Sequence, residues 1–418
     1  MRKKVVIVGG GFGGINAAKR FRGKDVDVLL IDKRNHHLFQ PLLYQVATAA
    51  LSPGDIAVPI RAIFGDDENV RTKLATVTNI HPEKKNLELD TGETIVYDYL
   101  ILAPGAVYNY FGNHDWAEHA PGLKSLNNAL DIREQILISL EKADQIEDKE
   151  KRKPYLKYVV VGAGPTGVEM AGAIAEIAKR NMMRDFKYIE SDETEVYLVE
   201  ALPRILNGYP KHLSEKAKQD LEEMGVNVLL ENPVSDIREN GIEIDDRFIE
   251  TPNLIWAAGV KASPLLKTLN CEFDKSGRAK VTPTLNLPGH RSIFIIGDAA
   301  YLEDDNEEPL PALAPVAIQM GKYVSKVILN GGVTDQTKPF HYLDKGSMAT
   351  IGRAKAVADI RGFTFSGVIA WLLWSVIHIF FLIGFRNRFR VFAEWIWHYL
   401  SFKRGVRLIT GRFSEKFS

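Results

Sequence analysis

The chain has 418 residues, 45% of them hydrophobic and 25% charged, with 53 basic side chains against 53 acidic ones. That length accommodates two or three domains with ordinary cores, and the balanced total gives nucleic acid nothing to be drawn to. A single cysteine, Cys271, excludes an intramolecular disulfide, a CxxC redox pair and a thiolate metal cluster, and no other metal site is expected.

The first predicted element is a strand, Lys4–Val8, entered from Arg2-Lys3 without the apolar stretch and small-residue cleavage site of an export signal. It runs into Gly9-x-Gly11-x-x-Gly14, and the next predicted strand, Val26–Ile31, ends at Asp32. Glycines at this spacing let the backbone turn tightly and approach a pyrophosphate, whose charge rests on the amides at the following helix N-terminus. The acid accepts from the hydroxyls of an adenosine ribose.

The segment His36-His37-Leu38-Phe39-Gln40-Pro41-Leu42-Leu43-Tyr44-Gln45-Val46-Ala47 is apolar but too irregular for a clean helix. Residues 70–102 alternate in polarity and carry turn signals such as Asp90-Thr91-Gly92-Glu93, as short strands do. Tyr99–Leu102 ends in Ala103-Pro104-Gly105, Ser125–Lys142 reads as a helix, and 147–157 as a charged connector.

The connector leads to a second copy of the pattern: Tyr158–Val161, Gly162-x-Gly164-x-x-Gly167, then Glu195–Val199 ending at Glu200. A carboxylate there repels a 2′-phosphate, so this site is expected to take NAD rather than NADP. Leu254-Ile255-Trp256-Ala257-Ala258-Gly259 repeats the strand-to-glycine ending of Tyr99–Gly105, which indicates an internal repeat. Two fingerprints, each in its βαβ context, indicate two dinucleotides and an electron path between them. Cys271, after the amphipathic Leu265–Leu269, reads as a packing residue. Ser292–Ile296 delivers Gly297-Asp298 to a strand's C-terminal end, where open α/β sheets bind ligands. Glu303–Glu308 reads as a solvated acidic loop, and a helix is expected from about Ala314.

The last 80 residues change character. No charge occurs between Arg361 and Arg386, a run of 24 positions that by length alone could span a bilayer. Val391–Leu400 places Glu394 and His398 on one helical face and Phe392, Ile396 and Tyr399 on another, with Trp395 and Trp397 beside the polar stripe. From Arg386 onward the basic residues Arg386, Arg388, Arg390, Lys403, Arg404, Arg407, Arg412 and Lys416 face only Glu394 and Glu415, a net of +6. That pattern fits a helix lying in a membrane interface, or helices that pair in an oligomer.

The doubled fingerprint, Gln40–Ala47, Gly162-Ala163-Gly164-Pro165-Thr166-Gly167-Val168-Glu169, the Gly297-Asp298 strand end and the apolar C-terminus together resemble the type II NADH dehydrogenases. These are single-subunit, membrane-attached flavoproteins that pass electrons from NADH to quinone without pumping protons, and the resemblance covers nearly the whole chain. It implies an α/β fold of two Rossmann-like dinucleotide-binding domains, one inserted in the other, plus a C-terminal helical membrane-attachment region. The implied boundaries are 1–110 and 283–340 for an FAD-binding domain, 111–282 for an NADH-binding domain and 341–418 for the membrane-anchoring region.

The resemblance implies that Gly9, Gly11, Phe12, Gly13, Gly14, Asp32 and Lys33 hold non-covalent FAD, with Gln45, Val77, Ala103, Asp298, Ala314, Pro315 and Lys345 as further contacts. Asp298 would accept from the ribityl chain or lie against the pyrophosphate. Gly162, Gly164, Pro165, Thr166, Gly167, Glu200, Ala258 and Gly259 would hold NADH, while Pro41, Tyr44, Gln45 and Gln319 meet the quinone. The chain departs from the family's usual Ala-Gln-x-Ala-x-Gln at Ala314-Pro315-Val316-Ala317-Ile318-Gln319. Pro315 offers neither an amide side chain nor a backbone donor, whereas Gln319 remains available.

The implied partners are NADH, a membrane quinone (menaquinone or ubiquinone), membrane lipid through the C-terminal helices and a second copy of the chain, with no nucleic acid. The implied location is peripheral, on the cytoplasmic face of the cell membrane, with a transmembrane anchor as the alternative. Two other functions share the nucleotide domains: a soluble ferredoxin or rubredoxin reductase, which has no use for Phe363–Phe385, and a non-catalytic flavin- and NADH-binding sensor. Disulfide reduction and sulfide oxidation both need a cysteine pair and are excluded.

Glu169 is the one catalytic candidate. The equivalent position of the first copy is Asn16, so the fold does not demand an acid there. A carboxylate near a nicotinamide favours the oxidised, cationic ring or relays a proton toward the quinone, and a place in the first helical turn would keep it ionised.

Overall fold

The computed structural model describes residues 2–177, 185–186, 188–401 and 406–409, with the backbone alone at 385 and 398–401. His398 and Tyr399 on the last helix therefore have no described side chain, and Lys403, Arg404, Arg412, Glu415 and Lys416 lie outside the described residues. In chain order the helices that carry the two turns and the tail are α1 (Phe12–Arg20), α2 (Leu43–Ala47), α3 (Leu126–Gln145), α4 (Pro165–Glu176), α5 (Ala314–Leu329), α6 (Gly367–Phe381) and α7 (Phe385–Ser401).

The chain divides into two compact units, the first Met1–Leu38, Ala57–Val107 and Val260–Asp344, the second Phe39–Ile56, Tyr108–Gly259 and Lys345–Ser418. In the first, the sheet runs in the order Asn286–Leu287, His290–Ile295, Tyr99–Leu102, Lys3–Val8, Val26–Asp32, Val70–Leu74, parallel except at the Asn286–Leu287 edge. Val5, Val6 and Ile7 are fully buried, as an unbroken apolar run requires of a strand covered on both faces. Helices α1 and α5 pack so closely that a Cβ on Gly321 would stand 2.4 Å from the Gly13 carbonyl oxygen.

The second unit repeats the plan. Its sheet runs Val226–Leu229, Glu195–Val199, Lys157–Val161, Asn253–Trp256, all parallel. Tyr99–Leu102 and Asn253–Trp256 thus hold the same place beside their first strands, as the sequence repeat indicated. In each unit an antiparallel three-stranded meander precedes the strand that pairs beside the first: Val77–His81 with Asn86–Leu89 and Thr94–Val96 before Tyr99–Leu102, and Val234–Arg238 with Gly241–Ile244 and Arg247–Glu250 before Asn253–Trp256. The expected helix at Ser125–Lys142 begins at Leu126, where the Ser125 hydroxyl caps the Asn128 amide.

The sequence grouped residues 39–56 with the first nucleotide region and 260–282 with the second; the compact units take them the other way. For 39–56 the reason is packing, because α2 lies against α3 and α4.

The uncharged run at 362–385 does not form one helix. It opens as the strand Phe363–Ser366, turns at Gly367 (φ +67°), continues as α6 and turns again at Gly384 (φ +91°). With 15 residues α6 rises about 22 Å, short of the ~30 Å hydrocarbon core. No helix among the described residues is long and apolar enough to cross a membrane, which corrects the transmembrane alternative. Helix α6 buries Ala370, Trp374 and Ser375 and leaves Val368, Ile369, Leu372, Val376 and Phe380 exposed. Helix α7 buries Val391 and half-buries Trp395 while exposing Phe389, Phe392, Ile396 and Trp397. Both tail helices therefore have an inner and an outer apolar face.

Candidate functional site

In the first unit, two glycines are required by the turn itself. Gly9 has φ +104°, and a Cβ there would stand 2.1 Å from the Ala103 carbonyl oxygen; one on Gly14 would stand 1.8 Å from the Gly9 oxygen. Gly11, the N-cap of α1, differs: a Cβ there meets no protein atom within 4 Å. The turn is thus closed by Gly9 and Gly14 and open to a ligand at Gly11, with Gly13 and Phe12 beginning the helix.

Asp32 anchors this turn. Its Oδ2 accepts the Gly10 amide at 2.5 Å and its Oδ1 the Arg34 amide at 2.7 Å, leaving further lone pairs on both oxygens for hydroxyl donors. Lys33 beside it is exposed. Sequence reasoning missed His37, which is buried, lies edge-on to Phe12 at 5.2 Å and places Nδ1 2.9 Å from the Gly10 carbonyl oxygen. Burial pulls its pKa down to about 4, so the ring is neutral, and donation to Gly10 assigns the proton to Nδ1.

Val77 is buried at the start of its strand, and Ala103 follows Tyr99–Leu102 with its amide on Val8. Asp298, half-buried, follows Gly297, whose φ of +68° turns the chain at the strand end. Ala314 and Pro315 are the first two residues of α5. The missing N–H of Pro315 therefore costs the helix nothing, because the first four amides of any helix have no intrahelical acceptor. The Gln319 amide, expected to be available, is engaged at both ends: Nε2 donates to the Leu343 carbonyl at 2.9 Å and Oε1 accepts the Leu343 amide at 3.0 Å.

The second unit reproduces the first turn. Gly162 has φ +97° and a Cβ would stand 2.6 Å from the Ala258 backbone; on Gly167 it would stand 1.8 Å from the Gly162 oxygen; on Gly164 it meets nothing within 4 Å. Glu200 Oε2 accepts the Ala163 amide at 2.7 Å and Oε1 the Leu202 amide at 3.0 Å, the same clamp as Asp32 one side-chain carbon longer. Gly164 caps α4, with Pro165 at the first helical position and Thr166 exposed after it. Gly259 (φ +82°) follows Ala258, and a Cβ there would stand 3.0 Å from the Phe111 ring.

Glu169 is the fifth residue of α4, one turn beyond the place expected. Glu169 is half-buried; desolvation of its carboxyl outweighs a backbone hydrogen bond at Thr350, and its pKa is pushed up to about 8. The helix terminus does not keep it ionised, which corrects the expectation. Burial, with the nearby Glu169 carboxyl adding to it, raises the pKa of the Tyr209 hydroxyl. Helix α4 also meets the C-terminal sheet directly: a Cβ on Gly172 would stand 1.7 Å from the Ile351 carbonyl oxygen.

The Phe39–Ile56 segment belongs to this unit. Pro41 is half-buried in a 3-10 turn, Gln40–Leu42, that leads into α2; Tyr44 and Gln45 are buried. Gln45 Nε2 donates to the Tyr44 hydroxyl at 2.8 Å, and Gln45 Oε1 accepts the Trp395 indole N–H at 2.8 Å. Trp395 stacks on Trp374 at 5.3 Å, Trp374 on His378 at 4.2 Å, and His378 meets Phe39 edge-on at 6.3 Å. A second tie joins Arg390 Nε to the buried Asp55 carboxyl at 3.4 Å. The ties from this segment to Trp395, His378 and Arg390 were not found from sequence, because each joins residues more than about 330 positions apart. Lys345 is exposed at the start of the C-terminal part of the unit.

Compared with known proteins, residues 3–321 match the family described as pyridine nucleotide-disulphide oxidoreductase, and residues 345–404 match the NDH2 C-terminal domain. The chain is 43% identical to the type II NADH:quinone oxidoreductase Ndh of Mycobacterium tuberculosis, over 98% of this chain and 90% of that one. It is 30% identical to the type II NADH:quinone oxidoreductase of Staphylococcus aureus, over 90% and 94%. Its fold matches that of NDH2 from Plasmodium falciparum, solved in complex with NADH, with a TM-score of 0.89 over 98% of this chain and 100% of that one at 24% identity.

Proposed function

The chain belongs to the pyridine nucleotide-disulphide oxidoreductases and, within them, to the type II NADH:quinone oxidoreductases, and from that membership we propose how its residues divide the reaction. It is an FAD-dependent NADH:quinone oxidoreductase. FAD, when bound, supplies the two-electron chemistry between NADH and quinone.

The observation that carries the division of labour is the matched pair of clamped turns. Each has a carboxylate fixed by two backbone amides, each has glycines that no larger residue could replace, and each has one glycine, Gly11 or Gly164, open to a ligand. Gly11 and the amides of α1 take the FAD pyrophosphate and Asp32 its ribose, with Asp298 toward the ribityl chain. Gly164 and the amides of α4 take NADH, and Glu200 its adenosine ribose, disfavouring NADPH. Gln319, with its clasp on Leu343, positions the chain around the start of α5 more than it touches quinone.

Glu169 holds a proton at neutral pH and releases it in the alkaline range. That makes it a proton donor toward the quinone side, a better use of a carboxyl with a pKa near 8 than stabilising a cationic nicotinamide. Pro41, Tyr44 and Gln45 meet the quinone headgroup. The outer faces of α6 and α7 rest on lipid, holding the enzyme peripherally on the cytoplasmic face of the membrane, where NADH and a lipid-bound quinone are both within reach.

Purified protein with NADH and a short-chain quinone tests the assignment. Flavin absorbance should bleach on NADH and return on quinone, and bleaching that quinone does not reverse would overturn it.

A further inference from the structure

Trp395 joins the outward-facing tail to the Tyr44–Gln45 pair by a hydrogen bond, and its chemistry dictates the polarity of that pair. An indole N–H only donates, so the Gln45 atom it meets at 2.8 Å must be the carbonyl oxygen. The Gln45 NH2 is then turned to the Tyr44 hydroxyl at 2.8 Å, and that oxygen acts as the acceptor. The Tyr44 proton must point away from Gln45, as a donor.

Without Trp395 the amide is free to turn over. Its oxygen would face Tyr44 and draw the phenol proton inward. The indole is itself held in place: Trp395 stacks on the buried Trp374, which stacks in turn on His378. Val391, one turn earlier on α7, is fully buried, and Arg390 reaches Asp55 at 3.4 Å. The next residues round the same helix, Phe392 and Ile396, face outward. Seating α7 therefore seats the indole.

We propose that Trp395 is a positioning residue for quinone reduction: by fixing the Gln45 amide it makes Tyr44 a hydrogen-bond donor to the quinone carbonyl. This rests on the assignment of Tyr44 and Gln45 to the quinone side. No covalent or redox step is ascribed to Trp395, and NADH oxidation does not involve it.

Trp395→Phe keeps the stacked ring and removes only the N–H. In the FAD-loaded enzyme on phosphatidylglycerol-containing vesicles, kcat/KM for a short-chain quinone should fall about tenfold, the scale of one buried hydrogen bond. Reduction of the flavin by NADH in single turnovers, turnover with ferricyanide and FAD content should stay at wild-type values. Tyr44→Phe should cause the same quinone defect, and Trp395→Phe combined with Tyr44→Phe no more than either alone. A quinone kcat/KM within twofold of wild type in Trp395→Phe, while Tyr44→Phe is impaired, would overturn the proposal and leave the site assignment standing. Wild-type quinone kinetics in both Tyr44→Phe and Gln45→Met would overturn the assignment itself.

Discussion

A backbone hydrogen bond joins Glu169, on α4, to Thr350, on the first strand of the C-terminal sheet. The carboxyl proposed as the proton donor is thus tied to the sheet whose next strand supports α6. Burial at this junction raises the carboxyl pKa from 4.5 to about 8.

Quinone turnover of the wild type should therefore fall as pH rises through about 8, where Glu169 loses its proton. Glu169→Gln should be slower by roughly tenfold at neutral pH, within the range of general acid catalysis, and should lack that alkaline inflection. Stability follows the same group. Between pH 4.5 and about 8 the folded chain binds this proton and the unfolded chain does not, so stability declines as pH rises across that window. The variant should lose less stability than wild type there, read as the difference in Tm between pH 5 and pH 9 buffers. Parallel Tm curves and a retained inflection would refute the role.

The open and closed glycines separate ligand binding from folding. Gly164→Ala should fold and hold FAD normally while raising the KM for NADH about tenfold, because its methyl meets no protein atom. Gly167→Ala puts a methyl 1.8 Å from the Gly162 oxygen and should cost about 2 kcal/mol of stability in urea unfolding. Gly11→Ala and Gly14→Ala should divide the same way for FAD content. Equal destabilisation by both members of a pair would contradict the reading.

Gly172→Ala tests the junction between α4 and the C-terminal sheet. A methyl 1.7 Å from the Ile351 oxygen forces the helix and strand apart, a destabilisation of about 2 kcal/mol. The Glu169 carboxyl should then gain water, and the alkaline inflection should move to lower pH. An unshifted inflection in a destabilised variant would show that Glu169 is buried independently of this contact.

Charge on the outer faces of the tail should release the enzyme from lipid. Val376→Glu with Phe392→Glu alters two exposed side chains and leaves the inner faces intact. Flotation with vesicles should be lost and ferricyanide turnover kept. If vesicle binding persists while the mass in sedimentation falls by half, these faces join two copies of the chain instead. Truncation after Arg361 is a less clean experiment, because Ala370 of α6 packs on Ala356 and Ala358 and its loss would uncover a core.

Local features were legible in the sequence and distant ones were not. The two glycine turns, the acids after the second strands and the helix that starts after Ser125 depend on residues within one βαβ unit or one helix, and spacing reports them directly. The run at 362–385 was misleading because hydropathy records burial or lipid contact without regard to backbone path. Gly367 and Gly384, both at positive φ, separate α6 from the strand before it and from α7, which begins at the run's last residue. Trp395 on Gln45 and Leu343 on Gln319 left no trace in spacing, since nothing local constrains either side chain. Comparison with Asn16 singled out Glu169, yet its raised pKa was not foreseen because the strand that packs on its helix, Ser347–Gly352, lies far along the chain.

The two clamps bear on any attempt to change the coenzyme. Replacing Glu200 with a cation is the direct way to welcome a 2′-phosphate, but it would also strand the Ala163 and Leu202 amides that this carboxyl now satisfies. A variant of this enzyme that accepts NADPH thus needs two separate edits, a positive charge for the phosphate and a substitute acceptor for the turn, and a library randomising position 200 alone should yield mostly unstable loops rather than a switched preference.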